Sequence, residues 1–114
     1  MKTMNKYVEY AVVFAREVGV EDFVNTESIA KKHGLSLQLL EQVARKMGAA
    51  GLTVSKKGHG GGHALHEDFV KGGVTLYSVM DAMGHLPGTS DPYLCRLYRE
   101  YRNALGEIYV RAPA

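Results

Sequence analysis

The spacing between two short amphipathic stripes constrains this chain most. Ile29 and Ala30 form the inward side of a short helix, for which Asn25 or Thr26 offers a capping oxygen. His33-Gly34 stops that helix, and Gly34 suits the left-handed C-cap position. Only Leu35 then intervenes before Ser36, the expected cap of the next helix. That helix carries Leu37, Leu40, Val43, Ala44 and Met47 on one face and closes at Gly51. Two helices joined by so short a glycine-containing turn predict a helix-turn-helix; an ordinary helical hairpin fits the same pattern.

The segment after Gly51 narrows the choice. Leu52-Thr53-Val54-Ser55 reads as a strand, and Ala64-Leu65 as its return, across a glycine-rich tip from Lys56 to His63. An isolated hairpin is marginal in water, so this one must lean on the helices. A helix-turn-helix succeeded by a hairpin is a winged helix. Upstream, Tyr7, Tyr10, Ala11, Phe14 and Val18 predict a first helix from about Asn5 to Val18, ended by Gly19. Downstream, Thr75 caps a helix that buries Leu76, Val79, Met80 and Met83 and ends at Gly84. His85 to Ser90 is a turn-rich linker containing Pro87 and Gly88. A last helix begins near Asp91, with Pro92 in its first turn. Leu94, Leu97, Tyr98, Tyr101, Leu105 and Ile108 share one face of it for roughly four turns. That stripe is longer than the winged core can cover, so its expected cover is the same helix of a second copy; a helix folded back on its own domain is the alternative. The expectation is a mainly α fold with a small β-hairpin. Residues 1–84 form a winged helix-turn-helix DNA-binding domain, and residues 85–114 a linker and C-terminal dimerisation helix.

A length of 114 residues suits one such domain. The single cysteine excludes a disulfide framework and a multi-cysteine metal site within one chain. The longest apolar run, Tyr10 to Ala15, is far too short to span a bilayer, and the N-terminus has no apolar signal-peptide core. A cytoplasmic protein without membrane contact is expected. The net charge is only +2, but its distribution is uneven. Lys31, Lys32, Arg45, Lys46, Lys56 and Lys57 face the single acid Glu41 in the middle third, alongside His33, His59 and His63. A basic middle is what a phosphate-facing surface needs; a merely solvated cationic surface is the other reading.

These residues divide by role. Ser36, Gln38, Glu41 and Gln42 are the polar reach of the helix expected in the major groove, where Gln pairs with adenine and Glu accepts from cytosine. Arg45 and Lys46 would lie toward phosphates. Lys56, Lys57 and His59 ride the wing, where Gly58, Gly60 and Gly61 let the main chain approach phosphate oxygens. Simple solvation of a helix face is the alternative. The glycine loop lacks the third glycine of a dinucleotide fingerprint and the Gly-Lys-Ser/Thr of a P-loop. His59, His63 and His66, with Glu67 or Asp68, have zinc-like spacing, but residues 63 and 66 point to opposite sides of a strand. Cys95, near the start of the last helix and close to Arg96 and Arg99, is either a redox-active thiol or a small residue in a dimer seam. No nucleophile–base grouping assembles, so no enzyme is expected.

Glu27-Ser28-Ile29-Ala30, Gly34-Leu35-Ser36-Leu37, Leu40-Glu41-Gln42, Gly51-Leu52 and the wing Lys57-Gly58-His59-Gly60-Gly61-Gly62 together resemble the iron–sulfur cluster regulator family of bacterial winged-helix transcription factors. Tyr10-Ala11 and Val74-Thr75-Leu76 to Met83 extend the resemblance over residues 7–84. The family includes nitric-oxide-sensing and cysteine-metabolism repressors. The resemblance implies a dimeric regulator on a palindromic operator. It implies that Ser36, Leu37, Gln38, Glu41 and Gln42 belong to the reading helix, and that Lys57 to Gly62 form the wing. There are departures. His59 stands in place of a usual Pro, His63 of a Tyr, Lys57 of an Arg, and Glu9 of an Arg. Of the three cysteines that cluster-binding members use, only Cys95 remains, and Tyr98 stands where one branch has a histidine ligand. No cofactor is therefore expected. The expected function is a homodimeric repressor bound to double-stranded DNA. A protein-interaction module and a thiol switch at Cys95 are the alternatives.

Overall fold

The structure is a computed structural model, and it describes residues 5–86, 88 and 90–114; Pro87 of the expected linker lies outside them, as do the first four residues. Helix α1 spans Lys6–Glu17, and Asn5 caps it by accepting from the Tyr7 amide. Helix α2 spans Thr26–His33, capped by Asn25 rather than Thr26, and ends at Gly34 with φ of 65°. Helix α3 spans Leu37–Ala49, with Ser36 Oγ accepting from the Leu39 amide. Strands β1 (Thr53–Lys56) and β2 (Gly62–Leu65) form the antiparallel hairpin, pairing Thr53 with Leu65 and Ser55 with His63.

The helices pack because their apolar faces converge. Phe14 of α1, Ile29 of α2, and Leu40, Val43 and Met47 of α3 are among the most deeply buried side chains. Helix α1 lies against α3, and the Tyr10 hydroxyl of α1 accepts from the Ser36 amide, fixing where α3 begins. The hairpin is not isolated. The His63 amide donates to the Val24 carbonyl at 2.8 Å, Val24 returns the bond at 3.0 Å, and the Leu65 amide donates to Gly19 at 2.8 Å. The α1–α2 connection thereby serves as a third line of chain beside β2.

Three elements were not foreseen, a short helix and the two strands of a second antiparallel pair. Helix α4 (Glu67–Gly72) is one short turn, capped by His66 Nδ1 accepting from the Asp68 amide. Histidine is not a usual cap, and none of the six residues is buried, so no stripe betrays the element. Strand β3 (Val74–Thr75) leads into helix α5 (Leu76–Ala82), where Val79 is buried, as is Met83 just beyond it. Helix α6 spans Pro92–Leu105 with Asp91 as its cap, ending earlier than the expected stripe. Gly106 closes it, and the chain turns into strand β4 (Tyr109–Arg111), antiparallel to β3. Ile108 therefore lies beyond the helix, and Leu105 is buried within its own chain. Among the described residues, no helix is long and apolar enough to cross a membrane.

Arg111 secures this return. Its Nη1 donates to the carbonyls of Ala15 at 3.0 Å and Val18 at 2.6 Å. A guanidinium there satisfies orphan carbonyls and complements the negative end of the α1 dipole. Arg111→Ala is expected to cost about 1.5–3 kcal/mol, the range for charge-assisted bonds. Urea denaturation checks this; an unchanged midpoint would mean that the clasp contributes nothing.

Candidate nucleic-acid interface

The exposed side of α3 carries three polar side chains in register. Gln38, Glu41 and Arg45 are all exposed and share the three-and-four spacing of one helix face. None makes a hydrogen bond or ion pair among the described residues. Ser36 is exposed beside them, with its Oγ already accepting the cap bond. Leu37 is half-buried and packs against the core. Gln42 turns away from this face: its Oε1 accepts from the Tyr7 hydroxyl at a long 3.4 Å. Lys46 turns the same way, with Nζ 4.9 Å from the centre of the Tyr7 ring.

The wing presents Lys57, Gly58, His59 and Gly60 to solvent. Lys56 leans back, its Nζ 5.8 Å from the centre of the Phe23 ring. The Gly61 amide is spent on the Gly58 carbonyl, so it cannot also bind a phosphate while that turn persists. Phe23, Asn25 and Thr26 flank the wing in a shallow cradle. The basic middle third is thus divided. Lys32 and His33 both meet Glu17, at 2.9 and 3.3 Å, and hold its carboxyl below the ordinary range.

Between α3 and the hairpin runs a polar cleft of about 510 Å³, lined by Glu41 and Arg45 on one side and Thr53, Ser55 and His63 on the other. Sequence reading did not assign Thr53 or Ser55 to the site. Strand alternation put both on one face of β1, but which face met α3 depended on how the hairpin docks. His63 is half-buried, edge-on to Phe14 with ring centres 5.2 Å apart. Burial pushes its imidazole pKa below the ordinary 6.5, against an opposing pull from Glu41. A histidine held neutral in this way binds protons more readily when unfolded. Its stabilising contribution is therefore complete above pH 6.5 and falls as pH drops below that value. Glu17 adds a second decline, below its ordinary 4.5. Urea midpoints are expected to fall on acidification from neutrality, and His63→Tyr is expected to flatten the first decline while sparing the second. Identical profiles for both proteins would refute the assignment.

Cys95 is half-buried in the opening turns of α6. The described residues contain no group of three His, Cys, Asp or Glu side chains that could hold a metal ion. The nearby Asp91 carboxylate already accepts from the Tyr93 and Leu94 amides. With Cys95 as the sole cysteine, the donors present do not fit a thiolate-held iron–sulfur cluster.

The fold matches solved structures closely. The global cysteine regulator CymR of B. subtilis aligns with a TM-score of 0.74 at 20% identity, over 96% of this chain and 94% of that one. IscR of T. potens aligns with a TM-score of 0.69 at 22% identity, over 96% and 83%. The oxidised form of CymR from Staphylococcus aureus gives 0.67 at 21% identity, over 96% and 93%. At these identities the likeness establishes the winged-helix fold. No curated protein matches the chain significantly. The sequence model of the Rrf2 family, described as iron-dependent transcriptional regulators, matches residues 2–112. With that match running over nearly its whole length, the chain belongs to the Rrf2 family of DNA-binding transcriptional regulators, which are not enzymes.

Proposed function

We propose that this regulator is a homodimeric repressor that binds a palindromic operator without an iron–sulfur cluster. Residues 1–84 form its DNA-reading unit, and residues 85–114 its dimerising arm. The observation that carries the reading is the unpaired polar face Gln38–Glu41–Arg45 beside an exposed basic wing. In this reading, α3 enters the major groove. Ser36, Gln38 and Glu41 approach base edges, Leu37 and Gln42 steady the helix, and Arg45 meets phosphate. Lys56, Lys57, His59 and the amides of Gly58 and Gly60 track the backbone. The dimer is supported by α6, where Leu94, Leu97 and Tyr101 remain 38%, 44% and 44% exposed. A two-fold seam over them brings two reading helices to successive groove faces, about 34–36 Å apart. Tyr98, half-buried on the same helix, and Ile108, just beyond the helix's C-terminal end, border that seam.

Fluorescence anisotropy against duplex DNA over a salt series tests the reading. Each phosphate contact contributes about 0.9 to the slope of log affinity on log salt. Lys56→Ala/Lys57→Ala is expected to weaken binding to all sequences and to flatten the slope by roughly 1–2. Gln38→Ala or Glu41→Ala is expected to alter sequence preference at an unchanged slope. An unaltered slope in the double variant removes the wing from the interface. A protein that sediments as a monomer and ignores duplex DNA in dilute buffer overturns the whole reading.

A further inference from the structure

The geometry points to the cleft between α3 and the hairpin as a binding site for a small zwitterion of the amino-acid class, whose occupancy competes with DNA. The competition, though not the binding, rests on the proposed reading face.

Glu41 and Arg45 stand one helical turn apart, acid first, the order that favours an ion pair between neighbouring turns. No ion pair joins them. One wall of the cleft therefore offers an acceptor and a planar donor about 5–6 Å apart at their Cβ atoms. The opposite wall offers hydroxyls and an imidazole from Thr53, Ser55 and His63, with Thr26 at the edge. Thr53 is only 5% exposed, and its Oγ1 is buried without a hydrogen-bond partner. A hydroxyl in that state costs about 1–3 kcal/mol until something bonds it, and buried polar atoms are rarely left so. Thr53 lines the cleft, so a polar group bound there would supply the missing partner after a small shift that uncovers the hydroxyl.

Charge selects the class. A simple anion drawn to Arg45 is repelled by Glu41, and a simple cation is repelled by Arg45. A molecule bearing both an ammonium and a carboxylate satisfies the two together, and the carboxylate can accept the bidentate bonds a guanidinium favours. At about 510 Å³ the cleft has room for an amino acid with a sizeable side chain. Because Glu41 and Arg45 also belong to the reading face, an occupied cleft withholds them from DNA. A regulator without a cluster would thus answer to a metabolite through the surface that reads its operator.

Amide NMR spectra of the full chain, titrated with each protein amino acid in turn, test the site. Acetate and methylammonium serve as single-charge controls. The expected result is saturable shifts at Thr53, Ser55 and His63 for at least one amino acid, with a Kd of roughly 1 mM or tighter, and none for either control. Glu41→Gln and Arg45→Gln are each expected to weaken that binding by about tenfold or more without altering the fold, since both are exposed. No saturable shift with any amino acid overturns the site, as does binding that both variants retain in full. Repeating the DNA titration with the bound amino acid present separates the two readings. A loss of DNA affinity supports competition. Zwitterion binding that leaves DNA affinity untouched overturns competition, and intact DNA binding with an empty cleft overturns this proposal alone.

Discussion

Gly62→Ala is expected to undock the wing and destabilise the protein by at least about 2 kcal/mol. Gly62 opens β2 with φ of 144°, a region that L side chains rarely adopt. A Cβ there would lie 2.5 Å from the Val24 carbonyl carbon and oxygen and 2.8 Å from the Asn25 amide nitrogen. Those atoms are main chain, and Asn25 is also the cap of α2, whose side chain accepts from the Ser28 amide at 2.8 Å. Neither can yield without disturbing a helix start. Relief must come from the hairpin, at the expense of the paired bonds between Val24 and His63. Hydrogen exchange at the Val24 and His63 amides should accelerate, and DNA affinity should fall with it. Gly60 is the control. Its φ of 76° also favours glycine, but a Cβ there meets nothing within 4 Å, so Gly60→Ala should cost only about 1 kcal/mol. If the two variants unfold at the same urea concentration, the close approach at Gly62 is not what fixes the wing.

This contrast marks where sequence reading reached and where it stopped. Gly34, Ser36 and the Leu40–Met47 stripe were legible because capping and helical periodicity are local; the structure returns all of them. The hairpin was legible from glycines flanked by short apolar runs. What sets Gly62 apart from Gly60 is its close approach to Val24 and Asn25, nearly forty residues away in sequence, and no local pattern reports such a contact. The same limit applies at the C-terminus. The helical stripe was carried on through Ile108, so the strand at Tyr109–Arg111 went unread. Arg111 belongs to no local pattern, and only folding sets it on the carbonyls of Ala15 and Val18. In the candidate site, the exposed polar positions of α3 came from periodicity. The turn of Gln42 toward Tyr7 did not, because it depends on how α1 lies across α3.

Phe14→Ala is expected to cost about 3–5 kcal/mol, a large share of the roughly 5–15 kcal/mol that a domain possesses. Phe14 is 0% exposed, begins the last turn of α1, and belongs to the cluster that includes Ile29, Leu40, Val43 and Met47. The neighbouring chain runs in three directions at once, so collapse into the void is blocked. Helix α3 is tethered to α1 through Tyr10, β2 is bonded to the α1–α2 connection, and Arg111 holds the carbonyls of Ala15 and Val18 just after Phe14. A cavity that cannot close keeps the full penalty. Phe14 also meets His63 edge-on, so truncation strips the wing of its main aromatic contact with the helices. The variant should therefore lose wing protection in hydrogen exchange before global unfolding, which a merely weakened core would not show. Phe14→Leu retains most of the volume and should cost no more than about 1.5 kcal/mol. Urea titrations of both variants decide the matter. An Ala variant as stable as the Leu variant would mean that α1 can shift toward α3, and that Phe14 is not what joins the reading helix to the wing.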